Sequence, residues 1–395
     1  MKKIVLFDGQ CHKSLLPLSF TRPVAHLRVG ILTILEKWEY YLDQKVDVRC
    51  KDFLSSKFSS FENSADIGIL AGLLPDADLV EVILGLDSNT ILMCNEDVLA
   101  ISPLPKNDAN MEELLAKYSV VQYDLPVSII KRPSDIFLKN GDQLEVDFPL
   151  LTVGKSSLDI DQSNTLIGDS IFIEEGARVS ASIINAEDGP VYIGKNAQVM
   201  EGSLIRGPFA LLDNSTLKMG AKIYGPTTFG PHCKVGGEVG NSVIQGYSNK
   251  AHDGYLGNSV IGEWCNLGAD TNTSNLKNNY SSVKTWNYAT ETMEDSGTQY
   301  CGLTMGDHSK CGINTMFNTG TVVGVFANVF GGGFPAKFIP SFSWGGATQS
   351  VDYDLEKALN LADVVMKRRD LELSKEDQQL LENIFELTAK YRFKS

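Results

Sequence analysis

The sequence predicts three parts in succession: an α/β domain with a mainly parallel sheet, a parallel β-helix, and a helical tail. Three observations carry this. Strand-like and helix-like segments alternate over roughly the first 150 residues. Aliphatic residues then recur at every sixth position. After about Gly346 the apolar spacing becomes helical. The boundaries expected are 1–150, 151–347 and 348–395. A chain of 395 residues is in any case too long for one ordinary core.

The first strand is "KKIVLF". Its apolar run, Ile4 to Phe7, is four residues long and Asp8 follows at once, so it reads as a buried strand and not a secretion signal. Residues 29–42 carry apolar groups at helical spacing, and "NTILMC" (89–94) is a second buried strand.

The hexads begin in earnest with Ile193, Val199, Ile205, Leu211, Leu217, Ile223, Phe229 and Val235. They resume as Met305, Cys311, Phe317, Val323 and Val329. A compact residue stands four places after most of them, among them Ala197, Ser203, Ser215, Ala221, Ser309 and Thr315. A triangular coil explains both periods. The aliphatic residue points inward and stacks on its equivalents, at about 1.5–3 kcal/mol each. The compact residue fits beside the corner. A lone coil cannot bury its own apolar side, so coils must stack. Three phase slips interrupt the count: between Val179 and Ile193, between Val235 and Ile261, and between Leu267 and Met305. Each predicts a stretch that leaves the regular coil, which is where binding groups tend to sit.

In the tail, Leu355, Leu359, Ala362 and Val365/Met366 share one helical face. A second helix starts at a Ser374 cap and continues through Leu380, Ile384 and Leu387. These helices are expected to cover the open end of the solenoid or to pack on its flank.

Composition excludes several functions. The net charge of −14, without a long basic cluster, argues against nucleic acid or an anionic membrane as main partner. No run of 18 apolar residues exists, so no membrane span is expected. The seven cysteines are scattered and never spaced C-x-x-C. Neither a disulfide framework nor a zinc site is expected, and a cytoplasmic location fits. A phosphorylated small molecule needs only a local basic pocket and stays open.

The second slip holds His252, among Lys250, Asp253 and Tyr255. An imidazole in polar surroundings accepts a proton near neutrality, which is what a general base requires; a solvated loop histidine is the plain alternative.

The stretch "SVIQGYSNKAHDGYLGNSVIGEWCNLGADTNTSNL" resembles the bifunctional N-acetylglucosamine-1-phosphate uridyltransferase/glucosamine-1-phosphate N-acetyltransferase family. Lys250, Ala251, His252, Tyr255, Leu256 and Gly257 carry the likeness first, and Ile261, Gly262, Asn266, Leu267, Gly268, Ala269 and Thr271 carry it next. The resemblance implies a nucleotidyltransferase-like (Rossmann-like) first domain and a left-handed β-helix. It implies that His252 is the base and that Lys250, Tyr255, Asn266 and Asn275 bind a sugar phosphate. It also implies acetyl-CoA as co-substrate and a homotrimer. The family tyrosine after the second asparagine is Leu276 here, a family lysine falls on Gly240, and Lys277 or Lys284 would replace the lost charge.

In the first domain the family's glycine-rich phosphate loop is matched only by Gly9 and Leu16-Pro17-Leu18, with Arg22-Pro23 like a later basic-proline element. Gly9, Lys13 and Arg22 would then contact nucleotide phosphates, and Asp97 would hold Mg²⁺. The leading expectation is acyl transfer to an amino sugar phosphate. The alternatives are sugar-1-phosphate nucleotidyl transfer using a nucleoside triphosphate and Mg²⁺, and a non-catalytic trimeric scaffold that binds a sugar nucleotide.

Overall fold

A computed structural model describes residues 2–58, 61, 63–106 and 111–392. In the first part, β1 (Ile4–Phe7), α1 (Cys11–Ser14), α2 (Ile34–Leu42), β2 (Asp47–Arg49), β3 (Ile67–Leu70), α3 (Ala77–Leu84), β4 (Thr90–Cys94), β5 (Asp97–Ser102), α4 (Met111–Lys117), β6 (Ser119–Gln122), α5 (Pro133–Leu138) and α6 (Asn140–Thr152) follow in order. Among the described residues, six strands form one sheet in the order β2-β1-β3-β5-β4-β6, and β5 runs against its two neighbours. Ile4, Val5 and Leu6 are buried in succession, as a strand covered on both faces requires.

Helix starts follow from local chemistry. Thr33 and Glu36 close a capping box at α2, with Thr33 N donating to Glu36 Oε2 at 2.7 Å and Glu36 N to Thr33 Oγ1 at 3.2 Å. α6 is locked to α2 by a fully buried ion pair, Lys37 with Asp147. Asp147 Oδ2 also accepts from the backbone of Ile31 at 2.8 Å and Leu32 at 3.0 Å. Burial lowers the Lys37 pKa and raises that of Asp147, and their mutual attraction opposes both shifts.

From residue 165 the chain coils into a three-faced parallel β-helix. One face stacks Ile184, Ile205, Ile223, Val239 and Leu256 inward. A second stacks Ile193, Leu211, Phe229, Ile244, Ile261, Met305, Val323 and Ile339. The third runs through Val179, Val199, Leu217, Val235 and Lys250 to Leu267, Cys311 and Val329. The compact residues bridge coils. Ser215 Oγ donates to Gly230 O at 2.8 Å and accepts from Cys233 N at 2.9 Å, and Ser309 does the same between Gly324 O and Ala327 N.

The phase slips have different causes. Between Leu267 and Met305 a true excursion leaves the coil and carries an antiparallel hairpin, Lys284–Asn287 with Thr292–Asp295. Between Val235 and Ile261 nothing leaves, contrary to expectation. The inward residues are Val239, Ile244, Lys250 and Leu256, so five short sides replace four hexads and a loop.

One corner of the coil places His232, Tyr247, Trp264, His308, Phe326 and Phe342 at positive φ, between 53° and 61°. Bulky residues avoid this conformation. Here their rings stack on successive coils: Tyr247 on Trp264 at 4.4 Å and 19°, and His308 on Phe326 at 4.5 Å and 2°. Such contacts, at about 0.5–1.5 kcal/mol per pair beyond burial, offset the strain.

The tail helices α7 (Leu355–Lys367) and α8 (Lys375–Leu387) pack on the flank. Ser374 caps α8 as expected, accepting from Asp377 N at 3.0 Å. Phe385 meets the end of the aromatic stack, edge-on to Phe342 at 4.9 Å, and Asn383 donates to Phe53 O at 3.3 Å in the first domain. The first domain, the outer side of the coils around Phe326 and Phe342, and the tail thus share one continuous core.

Replacing Asp147 by Ala strands Lys37 in the core. Urea unfolding should show a loss of about 3–5 kcal/mol, whereas the double variant Lys37→Met/Asp147→Leu should lose clearly less.

Candidate functional site

His252 stands exposed on a corner between the strands Asn249–Lys250 and Tyr255–Gly257. It rims a groove of about 650 Å³ along the third face. The floor follows from the register. Lys234, Asn249, Asn266 and Lys310 sit side by side on four successive rungs. At about 4.8 Å per rung they make a polar row roughly 14 Å long. Beside it lie Ala251 and Gly268, whose small side leaves the backbone open to approach. Gly268 has no room for more, since an added Cβ would sit 2.5 Å from the Gly312 carbonyl carbon. Tyr247 and Trp264 form one wall, and the end of α7, with Val365, Arg368 and Arg369, forms the roof. Arg369 Nη2 donates to Asn249 Oδ1 at 3.2 Å.

The electrostatics are one-sided. Lys218, Lys234, Lys310, Arg368 and Arg369 line the groove, and among the described residues no carboxylate does. Burial lowers the Lys234 pKa, and Arg369, Lys218 and Arg368 lower it further. Burial also brings Lys310 down to about 8; its Nζ is tethered to His308 O at 2.8 Å. A chain of net charge −14 has here gathered cations that lack an internal anion.

The residues singled out by sequence divide into groups. His252 and Asn266 line the groove together. Lys250 does not reach it, which corrects its expected role as a ligand-binding side chain. It occupies an inward, aliphatic position of the coil, with its Nζ donating to Gly236 O at 3.0 Å and His252 O at 2.6 Å. Burial lowers it to about 8. It thereby fixes the corner that carries His252. Tyr255 and Asn275 meet each other, with Asn275 Nδ2 donating to Tyr255 Oη at 2.9 Å and to Asn258 Oδ1 at 2.7 Å, but neither lines the groove. Lys277 is turned into the excursion, donating to Ser281 Oγ and the Ser282 carbonyl.

In the first domain Gly9 has a positive φ of 52°, two residues after β1, and Lys13 is exposed. Arg22 is not free for a phosphate. It is buried and grips Glu263 Oε1 at 2.8 Å and Asp307 across the domain junction. Leu15, Leu18, Phe20, Val24 and Ala25 are buried as well, so the segment after the short phosphate-loop match is packing material. Asp97 is paired with the ammonium of Lys131, and among the described residues no group of three acidic, His or Cys side chains converges to hold a metal. One carboxylate already neutralised by a lysine does not fit Mg²⁺, which is usually held by one or two carboxylates with substrate phosphates.

Fold and groove define a β-helix protein with a cation-lined groove and a Rossmann-like sheet. Residues 4–156 match a family model described as sugar nucleotidyl transferase. The chain is similar to the bifunctional protein GlmU of Synechococcus elongatus, 25% identical over 199 residues, which is 48% of this chain and 39% of that one. It is 34% identical over 119 residues to that of Methanocaldococcus jannaschii, covering 30% and 24% of the two chains. It is also 32% identical over 160 residues to a bifunctional sugar-1-phosphate nucleotidylyltransferase/acetyltransferase of Sulfurisphaera tokodaii, 39% of each chain. These matches span at most 39% of the relatives' length. Among solved structures, the polySia-specific acetyltransferase NeuO has a TM-score of 0.27 at 12% identity, covering 49% of this chain and 88% of that one. The Arabidopsis UDP-N-acetylglucosamine acyltransferase has a TM-score of 0.22 at 13% identity, covering 59% and 91%.

The buried amine gives a pH signature. Lys250 has a folded pKa of about 8, below its ordinary 10.5, so the unfolded chain binds more protons between those values and stability rises with pH across that window. The stability difference between wild type and Lys250→Met should therefore move in favour of wild type, by on the order of 3 kcal/mol, from pH 7.5 to 10.5 in urea melts.

Proposed function

We propose that the groove is the site of acyl transfer from acetyl-CoA to an amino sugar phosphate, with His252 as general base. The similarities to bifunctional sugar-phosphate enzymes support the coarser class, a transferase acting on acyl or nucleotidyl groups of sugar phosphates. The single observation that carries the finer reading is the set of five unopposed cations around a groove rimmed by an exposed imidazole. A phosphate-rich acyl carrier supplies the missing negative charge, and Arg forks suit phosphate oxygens.

In this reading the amine nitrogen adds to the thioester carbonyl and the C–S bond breaks. His252 takes the proton the amine loses and returns it to the departing thiolate. Asn249 and Asn266 offer neutral donors and acceptors along the floor. The carrier binds with its chain along the polar row, which brings the thioester toward the rim. The likeness to the family extends the proposal to a homotrimer. Ile183, Leu204 and Tyr224 stand exposed on the first face, where a second copy would cover them. Nucleotidyl transfer at the first domain is the weaker reading, because Arg22 and Asp97 are consumed by internal partners. No helix among the described residues is long and apolar enough to cross a membrane, and none of the seven cysteines, all of them among the described residues, is in a disulfide, which suits a reducing cytoplasm.

The test is free-thiol release from acetyl-CoA over a panel of amino sugar phosphates. His252→Ala should lower the rate at least about 100-fold without changing the melting temperature. Undiminished thiol release in that variant refutes the base. Tight binding of acetyl-CoA by wild type without thiol release favours a non-catalytic scaffold.

A further inference from the structure

The groove reading leaves one strong interaction unexplained. Arg22 crosses from the first domain into the solenoid and is almost wholly buried there. Its two terminal nitrogens take different carboxylates, Glu263 and Asp307, on adjacent rungs. The carboxylates are themselves knitted together. Asp307 Oδ1 accepts from Glu263 N at 2.9 Å, and Thr21 Oγ1 donates to Asp307 Oδ2 at 2.9 Å. A buried Asp307 beside a partly buried Glu263 needs this cation, since without it one acid must be protonated or the corner must open to water.

The residues that follow these acids connect to the groove, Trp264 directly and His308 through its neighbours. After Glu263 comes Trp264, whose ring forms part of the wall. After Asp307 comes His308, whose ring stacks on Trp264 at 6.2 Å and 14° and whose carbonyl anchors the Lys310 ammonium. Both residues hold the uncommon left-handed backbone, φ 61° and 60°. A corner held in that conformation by packing on one side and by an ion-pair network on the other has little freedom of its own.

We infer that Arg22 is a positioning residue for the groove. By neutralising Glu263 and Asp307 it sets the places of Trp264 and Lys310, and through it the first domain serves as a template for ligand binding on the solenoid. This rests on the reading of the groove as the ligand site. It gives the nucleotidyltransferase-like domain a task that needs neither nucleotide nor metal. A lysine at position 22 keeps one charge but cannot span two carboxylates with a planar fork.

The experiment uses the full chain and coenzyme A as probe, with dissociation constants from calorimetry and the tryptophan emission spectrum read beside them, Trp264→Phe marking the contribution of that ring. Arg22→Lys should weaken binding about tenfold and shift the Trp264 component while the circular dichroism stays that of wild type. Arg22→Met combined with Glu263→Gln and Asp307→Asn removes every charge of the network at once. It should fold and should bind more tightly than Arg22→Lys. A variant that is merely less stable would change its melting temperature and leave the dissociation constant well below that temperature unmoved. Wild-type affinity in folded Arg22→Lys, within twofold, overturns the inference alone, as does a triple variant that binds no better than Arg22→Lys. Absence of coenzyme A binding in wild type overturns the groove reading and the inference with it.

Discussion

Everything in this molecule depends on the fact that one coil cannot bury its own apolar side. A triangular turn with Leu211, Leu217 and Ile223 facing inward is stable only when Phe229, Val235 and Val239 cover it on the next turn. Register is therefore strict, and strictness inside imposes order outside. The strand that lays Val235, Leu267 and Cys311 along the axis also lays Lys234, Asn266 and Lys310 along the surface, one residue earlier in each strand. The polar row of the groove is thus the outward image of the hydrophobic row within. No separate device is needed to space its groups.

The same coupling explains where charge resides. Lys37 and Arg22 are cations buried with anions, and each ties segments distant in sequence. Lys250 is a cation buried with carbonyls, inside the coil, where desolvation drives its pKa down toward 8. The groove cations differ from all three. They meet carbonyls, an asparagine or one another, and no acid lines the space between them. In an acidic protein this separation sets the groove apart from the rest of the surface, since Arg369, Lys218 and Arg368 all add to the lowering of the Lys234 pKa there.

Much of this was legible in the sequence, and the failures have definite physical causes. Period six names the inward side directly, so the solenoid could be read from Ile193 to Val235 and again from Met305. The helical tail could be read from Ser374 and the face of Leu380 and Ile384. Lys250 was misread because the phase shifts by short sides. Ile244, Lys250 and Leu256 are themselves six apart, and a recount in that frame puts the lysine indoors. Arg22 looked like a phosphate ligand because a basic-proline pair carries no trace of Glu263 and Asp307, more than 200 positions away. The groove had the same problem. Lys218, Lys310 and Arg369 converge only once the coil and the tail are built. Local likeness singled out His252 and Asn266, which line one groove, and could not show that Tyr255 and Asn275 lie outside it.

The first domain also has a mechanical part in the fold. Its sheet is mixed, with β5 antiparallel to both neighbours, and Gly9 turns at positive φ after β1, while Asp8 spends one carboxylate oxygen on the Val24 amide and the other on His12, at 3.2 Å. The segment from Leu15 to Ala25 is packed inward throughout. The solenoid supplies the reason. Its aromatic corner exposes Phe326 and Phe342 along one edge, and rings of that size left in water would cost about 1.5–3 kcal/mol each. The first domain and α8 cover that edge and share a core with it. The segment from Leu15 to Ala25 is held by the same burial that keeps the rings of Phe326 and Phe342 from water, so the first domain and the coil stabilise each other.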